Sequence, residues 1–499
     1  MPPWHLVPLL WIAFSFQLLL LERCVTRAES LLVGWCFGFG HFATGFAWIA
    51  NAFYVDADLF GAFAVPAVGA LSAGFAFYSG GAALALRLIP PAHEDAMPDD
   101  RALVTAKRAL LFAAVWSALE WLRGWFLSGF PWNPIGSVWT AWPAMIQFTA
   151  LFGTLGLSFV TVLAASLFSV VLPRPRFALA WRIAITPIAV LALIGLGGWL
   201  RLPQGDVGTV PGVVLRLVQP NIPQADKWRP SLREQHLMDY IRLSIPEPGR
   251  KVTHVVWGEA SVAFALDQDE AHRRLAASVV PQGGALITGV MRAERSDRGV
   301  ERIFNSLIAI DDSARVTAVY DKVNLVPFGE FLPLRGLIPF PKLTQGSIDF
   351  SPGTSRPALT VAGLPPFAPL ICYEAAFSGD VMGAGGRPQW ILNLTNDSWF
   401  GDSSGPPQHL AAAQLRAVEE GLPLIRTANT GISAAIDSYG RLLSTLGLGK
   451  RGVLDVHLPV AGTETLFAKT GQAPSVAIIL LSIAGLLRQR FMRPGRPKP

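Results

Sequence analysis

Charge is scarce in this sequence, and cysteine is scarcer. Asp, Glu, Lys and Arg make up 15% of the 499 residues, where an average soluble protein carries about 25%. That deficit excludes both a disordered chain and a purely water-soluble one. Three cysteines, Cys24, Cys36 and Cys372, cannot build a disulfide framework, so their number leaves the redox compartment open. The sequence has no cysteine pair, no HExxH and no comparable histidine cluster to hold a metal. The eight histidines are scattered, with no Cys/His arrangement of the papain type, and His409 reads as a helix-start residue. Basic residues exceed acidic ones only by 41 to 35, and no Lys/Arg block interleaves with aromatics, which excludes nucleic acid as a partner. Internal repeats and low-complexity tracts are missing too. The opening MPPWH has neither a basic n-region nor a cleavage pattern, so it is not a signal peptide.

What the chain has in excess is apolar length. Hydrophobic residues reach 51%, mean hydropathy is +0.40, and the apolar residues collect in the first two hundred positions. A helix needs about 20 apolar residues to cross the hydrocarbon core. Six segments qualify before residue 201, at 5–21, 31–53, 59–86, 106–126, 143–172 and 183–200, and a seventh lies at 472–488. Runs such as GAFAVPAVGALSAGFAF suit close helix packing in lipid. Lys and Arg mark the cytoplasmic loops. Arg23 and Arg27, then Arg87, Arg101, Lys107 and Arg108, then Arg174, Arg176 and Arg182 place three loops inside. The loop with Asp56 and Asp58 and the stretch FPWNPIGSVWTAW then lie outside, as does the chain from Arg201 to about 470. The basic tail, residues 491–499, returns inside. On this reading the first span starts outside, which anticipates a further span before Met1. Glu120 and Arg123, near the outer end of the fourth span, read as a structural ion pair or a headgroup contact.

From about Pro211 the texture changes. Residues 213–219, 254–259, 285–290, 305–311, 368–374, 390–396 and 432–437 read as strands, many apolar throughout. Residues 231–244 and 409–421 read as amphipathic helices, the second starting after Pro406 and Pro407. Strands buried on both faces and alternating with helices predict a layered α/β domain of about 250 residues, large enough to bury its own core. The membrane spans therefore need a functional reason.

Three residues carry candidate chemistry. Cys372 ends the apolar run FAPLIC, where a turn can present its sulfur at the sheet edge. Alone, such a cysteine is an ordinary core residue. Glu259 ends HVVWGE, and Lys322 sits in the polar island YDKVNLVPFGEF; each alone reads as a solvated charge. Together they form a mechanism. A carboxylate takes the thiol proton, and an ammonium beside the reacting carbonyl stabilises the oxyanion.

These residues resemble the nitrilase superfamily, whose Glu-Lys-Cys triad sits on an αββα sandwich. VQPNIPQADKW (218–228), WGEAS (257–261), DKVNLVPFGEFLP (321–333), ICYE (371–374) and NDSWFG (396–401), framed by spans, resemble more closely the apolipoprotein N-acyltransferase family. The likeness extends to LRGWFLSGFPWNPIG (122–136). It implies a polytopic α-helical membrane domain at 1–203, an extracytoplasmic nitrilase-like catalytic domain at 211–465 and a last transmembrane helix at 470–490. It implies Glu259 as general base, Lys322 as oxyanion stabiliser and Cys372 as the nucleophile that becomes an acyl thioester. Glu330 would support the triad, Tyr373 and Glu374 would shape the nucleophile's pocket, and Trp228 and Trp399 would lie near the substrate entrance, their plain alternative being core or interfacial tryptophan. The family usually has eight spans with both ends inside, one more than the seven read here.

The implied reaction has two steps. Cys372 takes an acyl chain from a membrane phospholipid, such as phosphatidylethanolamine, at the outer leaflet of a bacterial inner membrane. The α-amino group of the diacylglyceryl-cysteine of an apolipoprotein then receives it. No metal, nucleotide or other cofactor is required. Both substrates stay in the bilayer because exposing each buried CH₂ costs about 0.8 kcal/mol, which accounts for the spans, and the apolar segment 326–341 suits a lipid-contacting lid. Two rivals share parts of the pattern: a membrane-tethered nitrilase or amidase acting on a small amide, and a non-enzymatic seven-span binding or transport protein, the latter weakened by sparse intramembrane charge.

Overall fold

The computed structural model describes residues 1–92, 97–172, 178–297, 299–333, 348–383 and 386–491. The chain divides into two compact units. One comprises Met1–Ala47, Val65–Leu202 and Leu466–Pro499, the other Trp48–Ala64 and Pro203–Thr465.

The first unit is helical, with α1 (Val7–Arg23), α2 (Arg27–Phe46), α3 (Ala64–Ala85), α4 (Pro98–Arg123), α5 (Thr149–Leu167), α6 (Ala178–Arg201) and a last helix, Ala473–Phe491. Five helices among the described residues are long and apolar enough to cross a membrane; α1 and the last helix are apolar but shorter. Local signals start them. Thr26 and Glu29 form a reciprocal cap at α2, and α4 opens with Pro98 followed by Asp99 and Asp100, favourable at a helix N-terminus. Small residues let α2 and α3 touch: a Cβ at Gly34 would stand 2.4 Å from that of Ala83. Leu193, Leu196 and Leu481 point outward and are exposed, as lipid-facing side chains are. Glu120 and Arg123 serve the loop after α4. The carboxylate accepts from Ile135 N at 3.0 Å, and the guanidinium donates to the carbonyls of Phe130 and Trp132.

The second unit is a sandwich of two sheets. Its strands are β1 (Thr209–Gln219), β2 (His254–Trp257), β3 (Ala285–Ser296), β4 (Gly299–Asp311), β5 (Val316–Asp321), β6 (Phe367–Ile371), β7 (Trp390–Thr395), β8 (Leu424–Ala428), β9 (Ser433–Ile436), β10 (Leu442–Leu446) and β11 (Gly452–Pro459). One sheet runs β11-β1-β2-β3-β4-β5 and the other β10-β9-β8-β7-β6. β1, β2 and β3 are parallel neighbours, as are β6, β7 and β8, and the outer strands are antiparallel. Period-2 alternation sends side chains to two cores. Val256, Ile287 and Leu307 meet Ile371, Leu392 and Ile425 between the sheets. Val255, Trp257 and Leu286 pack outward on α7 (Arg233–Ser244) and α8 (Glu270–Ala277), while Leu370, Ile391 and Leu424 pack outward on α9 (Gly405–Glu420). The αββα sandwich expected from the sequence is therefore the fold.

Boundaries differ in ways that matter for the site. β2 stops at Trp257 and β6 at Ile371, so Glu259 and Cys372 lie in turns beyond the strands. Pro406 and Pro407 are inside the first turn of α9, where a missing N–H costs nothing. β5, β8, β10 and β11 were not foreseen; β10 is largely exposed and shows no clean alternation. Residues 48–53 and 59–64, read from sequence as parts of spans, group with the second unit. There Trp48 packs on Phe400 with ring centroids 4.3 Å apart, and Asn51 Nδ2 donates to the Phe400 carbonyl at 2.9 Å.

Candidate active site

The ends of four strands converge on one buried cluster. Glu259 leaves β2 through a tight turn in which Ala260 adopts a left-handed φ of 42°. The turn lies directly on β3 at Gly289, where an added Cβ would stand 2.6 Å from Glu259 Cα. Lys322 follows β5, its N–H donating to the Asn305 carbonyl at 2.9 Å and its own carbonyl accepting from Gly353 N at 2.8 Å. Glu330 lies in the next turn, which its carboxylate closes by accepting from Val326 N at 2.8 Å. Lys322 Nζ donates to Glu330 at 2.9 Å and 3.0 Å and to Glu259 Oε1 at 3.4 Å. Asn305 Nδ2, from β4, bridges the same two carboxylates at 2.7 Å and 2.8 Å.

Cys372 opens a short turn after β6 with a left-handed φ of 50°. For a residue with a Cβ this conformation costs about 1–2 kcal/mol, so its surroundings must hold it. Glu374 is one holder. Fully buried, its carboxylate accepts from Ile371 N, Val323 N, Asn324 N, Tyr320 OH and Arg356 Nη2 at 2.8–3.1 Å. It thus ties the residue before the nucleophile to the two residues after Lys322. Tyr373 is buried, its ring edge-on to Phe377 at 5.0 Å.

Burial pushes the Cys372 thiol up, the Glu259 charge raises it further, and Lys322 opposes both without prevailing. The sulfur therefore rests as a thiol and needs a base at the moment of attack. Burial alone would lower Lys322, but Glu330 and then Glu259 outweigh it and hold the ammonium firmly charged. A second ammonium lies close by. Lys227 Nζ donates to the Glu259 carbonyl at 3.1 Å and sits 5.9 Å from the Trp228 ring; burial brings it down to about 8, against the pull of Glu259 and Cys372.

Beneath Cys372 lies a chain that composition did not reveal. The Cys372 carbonyl accepts from His409 Nε2 at 2.9 Å, His409 Nδ1 faces Asp397 Oδ1 at 2.8 Å, and Arg426 Nη2 reaches Asp397 Oδ2 at 2.7 Å. His409 is not a helix-start residue. It sits inside α9, completely buried. A ligand atom each from Cys372, Asp397 and His409 lie within 4.8 Å of one another, a spacing a metal ion accepts. Both ring nitrogens are already committed, however, and Arg426 already neutralises the carboxylate. Because a carbonyl has no proton to share, Nε2 is a donor and cannot also receive the thiol proton.

Of the residues singled out from sequence, Glu259, Lys322 and Glu330 are joined by hydrogen bonds, and Cys372 is buried within reach of the charges of Glu259 and Lys322. Glu374 lies behind it. Trp228 joins through Lys227, and half-buried Trp399 lies on the turn that carries Asp397. The segment 326–341 is only partly described; in its described part Phe328 is exposed, and residues 334–341 and the tail 492–499 lie outside the described residues.

Known proteins resemble this chain over nearly its whole length. Residues 215–466 match the carbon-nitrogen hydrolase family, and residues 1–167 match the apolipoprotein N-acyltransferase N-terminal domain. The apolipoprotein N-acyltransferase of Rhodopseudomonas palustris is 37% identical, and that of Bradyrhizobium diazoefficiens 39%, each over 98% of this chain and 92% of its own. The chain belongs to the apolipoprotein N-acyltransferase family. The counterpart from Brucella melitensis is 35% identical over 98% of this chain and 94% of its own. The family likeness includes the helical region as well as the sandwich. Among solved structures, an amidase from Nesterenkonia sp. aligns with 52% of this chain and 94% of its own, at 21% identity and a TM-score of 0.36. The chain is a membrane-embedded acyltransferase of this family.

Sequence reading missed Asn305, Lys227 and the chain His409–Asp397–Arg426. A polar residue in an apolar strand was the available signal for Asn305, and adjacency to a quoted tryptophan for Lys227. Nothing local marks His409.

Proposed function

We propose that Cys372 carries an acyl chain from a membrane phospholipid to the α-amino group of a diacylated apolipoprotein, with the catalytic unit on the outer face of the cytoplasmic membrane. As sulfur attacks the ester carbonyl, Glu259 takes the thiol proton and the oxyanion develops beside Lys322 Nζ. Collapse breaks the ester C–O bond, Glu259 returns the proton to the departing alkoxide, and lysophospholipid leaves a thioester behind. The neutral amine then attacks. Glu259 removes its proton as the new C–N bond forms and delivers it to the departing sulfur, regenerating the thiol.

The observation that carries this reading is the buried ammonium of Lys322 held between Glu259 and Glu330, beside the turn after β6 that opens with Cys372 and is tied by Glu374 to Val323 and Asn324. An ammonium so held is preorganised for an oxyanion and loses nothing to solvent rearrangement. Glu330 holds the ammonium at 2.9 Å, while Asn305 and Lys322 both reach Glu259 through Oε1. Phe328, exposed on the turn that bears Glu330, offers apolar surface for an acyl chain, and the Lys/Arg pattern of the loops supports the orientation.

The test is incubation of the purified full chain with labelled phosphatidylethanolamine and a diacylated lipopeptide. N-acylated lipopeptide is expected, with a thioester on Cys372 when the acceptor is omitted. Release of free fatty acid with no acylated peptide, or an acyl-enzyme that persists in Cys372→Ser as a thioester, overturns the reading.

A further inference from the structure

The left-handed backbone of Cys372 raises a question that the triad leaves unanswered: what holds the nucleophile in place while its sulfur changes partners twice. Strain of this kind persists only where surrounding contacts over-determine it. Glu374 secures the Leu370–Ile371 peptide, one residue ahead of Cys372, through Ile371 N. The peptide after Cys372 is secured from the helix layer on the outer face of its own sheet, by His409 on α9.

We infer that His409 is a positioning residue for both acyl-transfer steps: its Nε2–H, oriented by the buried Asp397–Arg426 pair, locks the Cys372 carbonyl and with it the position of the sulfur. This rests on Cys372 being the nucleophile. Three features carry it. His409, Asp397 and Arg426 are all fully buried, so the chain is rigid and shielded from water. Each link is redundant in a way that an ordinary core histidine does not require. Asp397 Oδ1 also accepts from Thr395 Oγ1 at 2.9 Å, and Arg426 is itself held by the Asn393 side chain and by the Ile432 carbonyl at 3.2 Å. The space is also reserved, since a Cβ at Gly431 would stand 2.3 Å from Asp397 Oδ2. A trans peptide fixes its carbonyl and the following N–H on opposite edges. Holding the carbonyl on the His409 side therefore also sets the direction of the Tyr373 N–H.

The arrangement resembles a Cys-His-Asp triad in composition but differs in wiring. The imidazole donates to the backbone of the cysteine, so it supplies geometry and Glu259 supplies the proton transfer.

The experiment compares His409→Gln, which retains a donor near the Nε2 position, with His409→Leu, which has none. Full-length protein is used in detergent micelles with labelled phospholipid, following single-turnover formation of the Cys372 thioester and its transfer to lipopeptide across pH. His409→Leu is expected to lose about 100-fold in both rates at unchanged donor KM, the loss that accompanies a displacement of roughly 1 Å at a reacting atom. His409→Gln is expected to recover at least half of that loss on a logarithmic scale, with the pH profile of wild type. Wild-type rates in a folded His409→Leu overturn the inference. So does a folded His409→Gln that is as slow as His409→Leu, or one that loses a limb of the pH profile, because the imidazole would then be moving a proton. If His409→Leu does not fold, a folded His409→Gln decides: rates within about 10-fold of wild type with its pH profile are expected, and a loss of about 100-fold or of a limb of the profile overturns the inference. A wild type that forms no thioester at Cys372 faults the underlying assignment of the nucleophile instead.

Discussion

Lys322→Met keeps the aliphatic stem and deletes the ammonium. Lys322 is 1% exposed, and its Nζ makes contacts of 2.9 Å and 3.4 Å with Glu330 and Glu259. Without it two buried carboxylates remain, joined only through Asn305 Nδ2. Deleting one partner of a buried charge set typically costs about 3–5 kcal/mol. The cost should depend on pH with a definite sign. Two like charges in one buried site raise the affinity of one of them for a proton, so the folded variant binds a proton that the unfolded chain has released above about pH 4.3. The folded state then holds more protons, and stability falls as pH rises through that window. The assay is thermal unfolding of the full chain in detergent from about pH 5 to about pH 8, for wild type, Lys322→Met and Lys322→Met with Glu330→Gln. The gap between wild type and the single variant should be widest at the alkaline end, and the double variant should close most of it. Thioester formation should remain depressed by about 100- to 1,000-fold in both variants, since neither has the oxyanion donor. A stability deficit that does not vary with pH, or a double variant that regains the acylation rate, refutes the assignment of Lys322.

Three further outcomes follow from the same contacts. Gly289→Ala places a Cβ 2.6 Å from Glu259 Cα, which forces the turn to shift; a loss of about 1–3 kcal/mol in thermal unfolding and a slowed acylation step are expected. Lys227 is brought down to about 8 from its ordinary 10.5, so the unfolded chain binds the extra proton between those values and wild-type stability should rise with pH there, by up to about 3 kcal/mol; Lys227→Met should show no such rise in pH-dependent unfolding. Glu374→Ala leaves the buried N–H of Ile371 and the half-buried N–H groups of Val323 and Asn324 without their acceptor, and a loss above about 3 kcal/mol is expected by the same unfolding assay.

Much of the architecture was legible because burial writes itself into local pattern. The apolar lengths of the helices, and strands such as 254–257 and 390–395 buried on both faces, follow from the period of the side chains. β10 escaped because an exposed edge strand carries no such pattern, and the helices at 27–54 and 57–88 are long and apolar enough to span a membrane, as read, although Trp48–Ala64 groups with the second unit. Trp48 is apolar for a different partner, the ring of Phe400.

Motif and resemblance alone brought Glu259, Lys322 and Cys372 to attention, together with the family they belong to. A thiol, a carboxylate and an amine beside apolar strands are chemically complete for acyl transfer. Whether they meet is a different matter. Asn305 bridging two carboxylates, Glu374 tying one loop to another, and His409 reaching the Cys372 carbonyl all join residues far apart in the chain. Hydrogen bonding between such groups is decided by how strands pair, how α9 packs on its sheet and how the two sheets close on each other, which no short window of residues records.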